Sequence, residues 1–283
     1  MRVYKESFSK IKNKYLNFLK KQEVLGEPFH NKLGQLNDFY IPICESIYKK
    51  YKLKKKMIIV GLSGGQGSGK TTITQILKII LKEKYNLNTL NFSIDDFYKT
   101  LQQRKKMSKN IHNLFLTRGV PGSHDLVLLN KCFNFLKKKH FKPFYLPKFD
   151  KSLDDRKSKK LWKKVIKKPD IVIFEGWCVG AKHQNLKKLN KSINSLEKKY
   201  DISNIWRNTV NNYLKNEYKK IFKLIDKMIF LKIPNFFYVY KWRMLQEKKL
   251  KLSSKGKKIM NSSQIKKFIM FYERITKQMI EDL

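Results

Sequence analysis

A glycine-rich segment at residues 64–71, with the sequence Gly-Gly-Gln-Gly-Ser-Gly-Lys-Thr, constrains this chain more than any other feature. It fits the pattern G-x-x-x-x-G-K-[ST]. An apolar run at 57–62 precedes it, and a segment at 71–84 with helically spaced apolar residues follows it. A strand, a glycine loop and a helix in this order can hold a phosphate group, because backbone N–H groups and the helix N-terminus face the anion. The sequence therefore predicts a nucleoside triphosphate site.

The residues of this loop have expected roles in binding ATP and Mg²⁺. Lys70 is expected to reach the β- and γ-phosphates, and the hydroxyl group of Thr71 to ligate Mg²⁺. Glycine-rich turns also join strands to helices without binding a ligand, but both flanks here favour a phosphate site. The predicted nucleotide-binding residues are Gly64, Gly65, Gln66, Gly67, Ser68, Gly69, Lys70, Thr71 and Thr72.

The composition limits the class of protein. Hydrophobic residues make up 41% of the 283 residues, which is enough for a substantial core. No apolar run approaches the roughly 18 residues of a membrane span, and the N-terminal residues lack the apolar core of a signal peptide. Cys44, Cys132 and Cys178 are too far apart to suggest a disulfide framework or a zinc site. We therefore expect a cytoplasmic protein with no membrane partner.

The formal net charge of +42 points to an anionic partner, and nucleic acid is the first to consider. However, only seven of the 64 basic residues are Arg, and the lysines are scattered along the chain. Proteins that bind nucleic acid bases and phosphates favour arginine, because its planar guanidinium group can form two parallel hydrogen bonds. The sequence also lacks the alternation of aromatic and basic residues that is typical of RNA-binding proteins. We expect no specific nucleic acid partner, and an ATP-regulated nucleic-acid-binding protein is the non-enzymatic alternative. The positive charge would also attract small anionic substrates.

Because lysine supplies most of the positive charge, the few arginines are informative. An Arg in such a chain can indicate a place that needs a planar, bidentate donor, and the alternative for each is a buried structural ion pair. Arg2 and Arg104 are interpreted as incidental. The arginines that lie in recognisable local patterns are Arg118, Arg156, Arg207, Arg243 and Arg274.

The pattern of apolar residues predicts strands that alternate with helices. The predicted strands are 57–62, 89–94, 170–175 and 227–231, and the predicted helices are 71–84, 125–138, 203–225, 235–250 and 262–282. Between the second strand and the next helix we expect a polar loop over 99–123. Alternation of this kind is typical of an α/β fold with a mainly parallel sheet flanked by helices. We divide the chain into an N-terminal helical extension at 1–56 and a main domain at 57–283.

Carboxylates follow two of the predicted strands. In open α/β sheets, ligands bind at the carboxyl ends of the strands, where Asp95 and Asp96 follow the second strand. An Asp there can accept a proton from a substrate hydroxyl group or ligate a metal, and a turn or helix-capping role is the alternative. Glu175 ends the third strand and could hold Mg²⁺, or it could pair with a lysine.

Further polar residues are candidates for contacts with the substrates. Arg118 could clamp a carboxylate or phosphate of the second substrate, and His124 could orient a hydroxyl group or be structural. Asp125 could cap the helix that follows it. A polar cluster at 148–156 could complete an acceptor pocket or form a surface turn. Arg243, on the penultimate helix, could close over the phosphates, or its side chain could be solvated.

Several sequence blocks occur together in an order typical of one family. They are Gly-Leu-Ser-Gly-Gly-Gln-Gly-Ser-Gly-Lys-Thr-Thr at 61–72, Ser-Ile-Asp-Asp-Phe-Tyr at 93–98, Arg-Gly-Val-Pro-Gly-Ser-His-Asp at 118–125 and Glu-Gly-Trp-Cys-Val-Gly at 175–180. With them, and with blocks at 206–211, 240–247 and 271–274, the chain resembles the D-glycerate 3-kinases of plants and their bacterial and fungal relatives. These enzymes belong to the uridine kinase and phosphoribulokinase superfamily. The resemblance extends from about residue 30 to the C-terminus.

This resemblance implies a P-loop kinase with a five-stranded parallel sheet, which transfers the γ-phosphoryl group of ATP to a hydroxyl group of a small acceptor. D-Glycerate is the first acceptor to consider, and a nucleoside or a sugar phosphate is the alternative. Asp95 matches the general base, and Arg243 matches a lid arginine. The expected metal-side residues are Thr71, Asp95 and Glu175, and the expected acceptor-binding residues are Asp96, Tyr98, Arg118, His124, Asp125, Asp150, Lys151 and Arg156. Residues 150–156 are shorter than the family pattern and lack its glycines.

Overall fold

The computed structural model of the protein describes residues 2–23, 28–253 and 260–282. Residues 1 and 24–27, which belong to the predicted extension, lie outside the described part. The helices are α1 (Arg2–Gln22), α2 (Lys32–Gln35), α3 (Ile41–Lys54), α4 (Lys70–Tyr85), α5 (Leu101–Asn110), α6 (Leu126–Lys137), α7 (Leu186–Asn190), α8 (Ser195–Tyr200), α9 (Ile205–Tyr213), α10 (Lys219–Phe222), α11 (Phe237–Ser253) and α12 (Ser262–Asp282). Among the described residues, no helix combines the length and the apolar character needed to cross a membrane. The cytoplasmic location stays a prediction.

The strands form one parallel sheet and two small antiparallel pairs. They are β1 (Ile58–Gly64), β2 (Thr89–Ser93), β3 (Phe144–Leu146), β4 (Phe149–Asp150), β5 (Asp155–Arg156), β6 (Lys163–Val165), β7 (Ile171–Glu175) and β8 (Lys227–Leu231). The parallel sheet has the order β2-β7-β1-β8, whereas β3 pairs with β6 and β4 with β5. The mainly parallel sheet predicted from the sequence is confirmed. The resemblance implied five parallel strands, and the described residues form four.

Apolar side chains alternate between the two faces of the sheet and form a core on each side. On one face, Ile58 and Val60 of β1 and Ile171 of β7 pack with residues of α1, α3 and α4. On the other face, Ile59 of β1 and Phe174 of β7 pack with residues of α6, α9 and α12. Because strands buried on both faces need cover on both, the helices form two layers around the sheet.

The prediction of a polar loop over 99–123 was wrong. This segment contains α5 and a 3₁₀ turn at Asn113–Leu116. Thr100 and Gln103 form a capping box at the start of α5, in which each side chain bonds to the backbone of the other residue. The low content of apolar residues in α5 hid the helix from a search based on hydrophobic periodicity. The predicted helix at 203–225 is observed as consecutive helical segments over 205–222, with a π-helical stretch at Leu214–Tyr218 between α9 and α10.

Candidate active site

The phosphate loop predicted from the sequence connects β1 to α4. Gly67 and Gly69 each have a φ angle of +81°, in the left-handed region that glycine adopts without strain. The side chain of Lys70 folds back over the loop, and its Nζ donates hydrogen bonds to the carbonyl oxygens of Gly64 at 3.0 Å and Gly65 at 2.9 Å. The ammonium group is therefore held at the centre of the loop, where a phosphate would lie.

The loop contains polar atoms that have no hydrogen-bond partner within the described residues. The Oε1 atom of Gln66 and the hydroxyl group of Ser68 are both buried and unpaired. Buried polar atoms normally have partners. The Ser68 hydroxyl group can donate a hydrogen bond to an anionic ligand beside the helix N-terminus, whereas the Gln66 oxygen can only accept one. Thr71 and Thr72 lie in the first turn of α4, with Thr71 exposed.

Helix α11 lies directly on the phosphate loop. A Cβ atom added to Gly67 would lie 2.5 Å from the Cβ atom of Trp242, so no larger residue fits there without movement of the helix. Arg243 is the next residue, and its guanidinium group bonds to Gln246 at 3.0 Å and pairs with Glu247. It also lies 5.3 Å from the centre of the Phe268 ring. Helix α11 brings Arg243 near the phosphate loop, as expected for a lid arginine. In the structure, its guanidinium group contacts residues of α11 and α12.

Two of the predicted carboxylates, Asp95 and Glu175, lie at the ends of neighbouring strands. Ser93 at the end of β2 pairs in register with Glu175 at the end of β7, and Asp95 lies two residues beyond Ser93. The charges of Glu175 and Asp95 both act on Lys70: burial lowers the pKa of its ammonium group, and the two carboxylates oppose that shift. Burial raises the pKa of Glu175 and Lys70 opposes this. The phosphate loop and both carboxylates therefore belong to one site.

Asp95 has two close partners that fix its carboxylate. Its Oδ2 atom accepts a hydrogen bond from the ammonium group of Lys151 at 2.9 Å, and its Oδ1 atom accepts one from the Tyr98 hydroxyl group at 2.9 Å. Burial alone would raise its pKa, but the charge and hydrogen bond of Lys151 outweigh this and lower the pKa to about 2. Asp95 is therefore ionised at neutral pH.

The β4–β5 hairpin covers this edge of the sheet. The carboxylate of Asp96 pairs with Lys148 at 3.1 Å. Asp150 closes the hairpin turn by accepting hydrogen bonds from the backbone N–H of Ser152 at 2.9 Å and of Leu153 at 3.3 Å. Short polar side chains commonly stabilise turns in this way. Asp150 is thus occupied in shaping the turn, while Asp96 and Lys148 lie beside the site.

Arg104 was interpreted as incidental, and this was wrong, because its side chain is completely buried. Its guanidinium group donates to the carbonyl oxygens of Lys99 at 3.3 Å, Leu116 at 2.7 Å and Asp154 at 2.5 Å. It also pairs with the Asp154 carboxylate at 3.0 Å, and Arg118 pairs with the same carboxylate. Arg104 therefore fastens the β4–β5 hairpin to α5. The side chain of Arg2 lies outside the described part of the chain.

Arg156 and Asp125 are bonded to each other. One Nη atom of Arg156 donates to the Tyr98 carbonyl oxygen at 2.8 Å and to the Asp125 carboxylate at 3.0 Å. Asp125 also accepts a hydrogen bond from the backbone N–H of Leu128 at 3.0 Å, which makes it the N-cap of α6. The capping role considered for Asp125 is confirmed. An acceptor contact by either side chain stays a prediction.

His124 is buried in an aromatic environment. Its ring stacks on that of Tyr98 with centroids 4.6 Å apart, and its Nδ1 atom lies 2.6 Å from the Tyr218 hydroxyl oxygen. Burial lowers its pKa to about 3, so the imidazole is neutral at physiological pH. His124 therefore contributes to positioning Tyr98, the residue that bonds to Asp95.

Two of the five informative arginines form a structural network away from the phosphate loop. Arg207 and Arg274 pair with the buried carboxylate of Glu197 at 3.2 Å and 2.6 Å, respectively. Arg207 also pairs with Asp201 at 3.3 Å. These contacts join α8, α9 and α12, so the alternative of a buried ion pair is the correct one for both arginines.

Tyr272 of α12 is a residue of the site that sequence reasoning did not single out. Its hydroxyl group donates to the carbonyl oxygen of Arg118 at 3.3 Å, and its ring packs against Trp177 with centroids 4.9 Å apart. Burial raises its pKa, with a further contribution from the charge of Asp95. The sequence block at 271–274 was a signal for this position. Tyr272 connects the C-terminal helix to the site.

A phosphate loop after the first strand of a parallel sheet, with carboxylates at the ends of neighbouring strands, defines the class of P-loop kinases. The profile of the Phosphoribulokinase / Uridine kinase family matches residues 59–209, and the chain belongs to this family. It is 34% identical over 238 residues to an uncharacterized kinase of Schizosaccharomyces pombe, with 81% of this chain and 83% of that protein covered.

Two further relatives are described as glycerate kinases. The chain is 29% identical over 256 residues to the chloroplastic D-glycerate 3-kinase of Arabidopsis thaliana, a match that covers 84% of this chain and 53% of the plant protein. The solved structure of D-glycerate 3-kinase from Cryptococcus neoformans superimposes with a TM-score of 0.72 at 26% identity, covering 85% of this chain and 87% of that one. The family of ATP-using kinases predicted from the sequence blocks is therefore confirmed.

Proposed function

We propose that this protein phosphorylates a hydroxyl group of a small anionic acceptor with ATP, and that the acceptor is D-glycerate. The observation that carries the proposal is Asp95, an ionised carboxylate held between Lys151 and Tyr98 at the end of β2. A carboxylate there can take the proton of an attacking hydroxyl group. The two glycerate kinases among the relatives support the choice of acceptor.

The nucleotide is held by the phosphate loop. Backbone N–H groups of the loop and the N-terminus of α4 face the phosphates, and Lys70 contacts the β- and γ-phosphates after leaving its bonds to the loop carbonyls. Thr71, Glu175 and Asp95 would supply oxygen ligands of the kind that Mg²⁺ prefers. Bound Mg²⁺ neutralises charge on the phosphates. Arg243 lies on the helix that covers the loop, where its charge can stabilise the transferring group.

The positive side chains around Asp95 suit an anionic acceptor. Lys151 and Lys148 lie on the hairpin beside Asp95 and Asp96, and the Arg118 guanidinium group lies 5.5 Å from the Phe149 ring in the same hairpin. A carboxylate of the acceptor could bond to these groups while its hydroxyl group meets Asp95. The shortened turn of the hairpin borders this position, so the turn affects which acceptor fits.

The decisive experiment measures ADP release with Mg-ATP and a panel of acceptors: D-glycerate, L-glycerate, uridine, ribulose 5-phosphate and pantothenate. We expect turnover with D-glycerate, and turnover with another acceptor instead would contradict that substrate while leaving the kinase activity in place. In the Asp95→Asn variant we expect kcat to fall by at least about 10²-fold with ATP binding retained, because the base is lost.

Asp96→Asn is the matched control for the base. Asp96 is adjacent in sequence but bonds to Lys148 rather than to Lys151. We expect this variant to alter the acceptor KM more than kcat. If Asp95→Asn kept full activity, or if both variants lost kcat equally, Asp95 would not be the general base.

A further inference from the structure

The outer edge of the sheet carries a cavity at the start of β8. It has a volume of about 590 Å³, and most of its surface is apolar. Such a volume is in the range of small-molecule sites, which are mainly apolar with a few polar groups. The apolar residues that line it are Ala181, Leu214, Phe222, Ile225 and Met228.

A second, lysine-rich cavity adjoins the first. It has a volume of about 390 Å³, and the two cavities share Lys223 and Asp226 in their walls. The lysines that line this second cavity are Lys54, Lys56, Lys137, Lys168 and Lys223. We refer to the two together as the edge cavity. It has an apolar compartment and a basic compartment that meet at Lys223.

The positive charge of the basic compartment is not balanced by carboxylates of its own wall. Asp226 is the acidic residue that lines it, and this carboxylate is already paired with Lys54 and accepts a hydrogen bond from the backbone N–H of Ile59 at 2.8 Å. The pKa of Lys137 is lowered by burial and by the charge of Lys54. The other four lysines of this wall, Lys56, Lys137, Lys168 and Lys223, are exposed, and no carboxylate among the described residues pairs with them. Four unpaired ammonium groups around one concave site favour an anion.

The edge cavity is separate from the proposed active site. Its walls include Met57 and Lys227, which lie at the amino ends of β1 and β8, whereas the phosphate loop follows the carboxyl end of β1 at Gly64. Met228 of the apolar compartment pairs in register with Gly61, so about 10 Å of strand, at roughly 3.3 Å per residue, separates it from Gly64. Neither Lys70 nor Asp95 lines either compartment. A ligand in the edge cavity would therefore not contact Lys70 or Asp95.

We propose that the edge cavity binds a small amphipathic anion, with its apolar chain in the compartment lined by Leu214 and Phe222 and its phosphate or carboxylate group beside Lys223. The apolar compartment matches the chain of such a ligand, and the basic compartment matches its charged group. Apolar contacts in the first compartment supply affinity, and the lysines of the second select the charge. Further lysines, at Lys182, Lys219 and Lys227, line the apolar compartment and add to the preference for an anion.

Calorimetric titration at about 150 mM salt, where non-specific attraction between exposed charges is screened, tests this proposal. The probes are decyl phosphate, decanoate and decyltrimethylammonium, all below micellar concentrations. We expect one molecule of each anion to bind per chain and the cation not to bind. The two anions distinguish a phosphate from a carboxylate head group. Octyl phosphate should bind about 15-fold more weakly than decyl phosphate, because two buried methylene groups are lost.

Lys223→Glu and Lys220→Glu form a matched pair of variants. Both residues are exposed in or just after α10, and both changes alter the net charge equally, but only Lys223 lines the edge cavity. We expect the affinity for decyl phosphate to fall at least about 10-fold in Lys223→Glu and to stay unchanged in Lys220→Glu. Equal affinity in the two variants, binding of the cation, or loss of binding in Lys70→Ala would each overturn the proposal.

Discussion

The pKa values of three titratable side chains in the candidate active site are set by burial and by neighbouring charges. Burial disfavours the charged form, so it raises the pKa of Glu175 and lowers that of Lys70. Asp95 departs from this pattern, because the ammonium group of Lys151 outweighs burial and lowers the pKa of Asp95 to about 2. Neighbouring carboxylates with displaced pKa values can take different roles. Asp95 is ionised throughout the physiological pH range, as a proton acceptor must be, and a cation bound beside Glu175 would favour the charged form of that carboxylate.

The charge of Lys151 gives a prediction for the pH dependence of the reaction. Since Lys151 lowers the pKa of Asp95, Lys151→Met should raise that pKa and move the acid limb of the kcat/KM profile to higher pH. We also expect the acceptor KM to rise about 10-fold, because a donor for the anionic acceptor is lost. The measurement is kcat/KM for the acceptor from about pH 4 to 9. Wild type, in which Asp95 is ionised over this whole range, should show no acid limb from Asp95, whereas Lys151→Met should show one at the low end of the range.

Lys148→Met is the control for this prediction. Lys148 lies on the same hairpin and pairs with Asp96 instead of Asp95. Its loss should affect the acceptor KM without moving the acid limb. The same pH profile in wild type and Lys151→Met would show that the ionisation of Asp95 does not govern the reaction.

The residues that could be predicted from the sequence are those whose function depends on local pattern. The phosphate loop and Glu175 are recognisable because a strand, a turn and a side chain follow one another along the chain. Arg104 and Tyr272 could not be found in this way. Arg104 bonds to a carbonyl oxygen 50 residues away, and Tyr272 bonds to one 154 residues away. Such contacts depend on the fold, and no local spacing reveals them.

At the scale of elements, the β4–β5 hairpin depends on polar contacts more than on apolar packing. The strands have two residues each, and Phe149 is the buried apolar residue among them. So short a hairpin is not stable by itself. Arg104 supplies the connection to α5, a helix that the sequence pattern did not predict. The hairpin also carries Lys151, so its placement determines the surroundings of Asp95.

Arg104→Met tests whether this one side chain holds the hairpin. The change removes the buried guanidinium group and leaves three carbonyl oxygens without their donor, so we expect a loss of about 3 kcal/mol in the free energy of unfolding. The acceptor KM should rise more than the KM for ATP, because the hairpin borders the acceptor. Urea unfolding and steady-state kinetics measure the two effects.

Lys105→Met and Arg104→Lys complete this test. Lys105 is the exposed neighbour of Arg104 in α5, and its substitution should change neither quantity. Arg104→Lys should recover little of the stability, because one ammonium group cannot reproduce the planar fork that meets carbonyls on three segments. A stable Arg104→Met protein with an unchanged acceptor KM would show that other contacts fasten the hairpin.

At the scale of the whole molecule, α1 and the parallel sheet share one core. Leu19 of α1 is buried in the same apolar cluster as Leu77 of α4 and Val60 of β1. Periodicity in the sequence revealed the helices of the N-terminal segment but not which surface they cover, because that depends on the finished sheet. The division into an extension at 1–56 and a kinase domain at 57–283 stays a prediction.

The shared core predicts that a change in α1 destabilises the kinase domain as well. Leu19→Ala should lower the free energy of unfolding by about 2–5 kcal/mol, through lost burial and a cavity. The four tryptophans of the chain all follow residue 57, so their fluorescence reports on the kinase domain, whereas circular dichroism reports on all helices. We expect both signals to shift together in urea. Asn17→Ala, an exposed change in the same helix, should shift neither signal. A shift in circular dichroism alone would show that the extension folds as a separate unit.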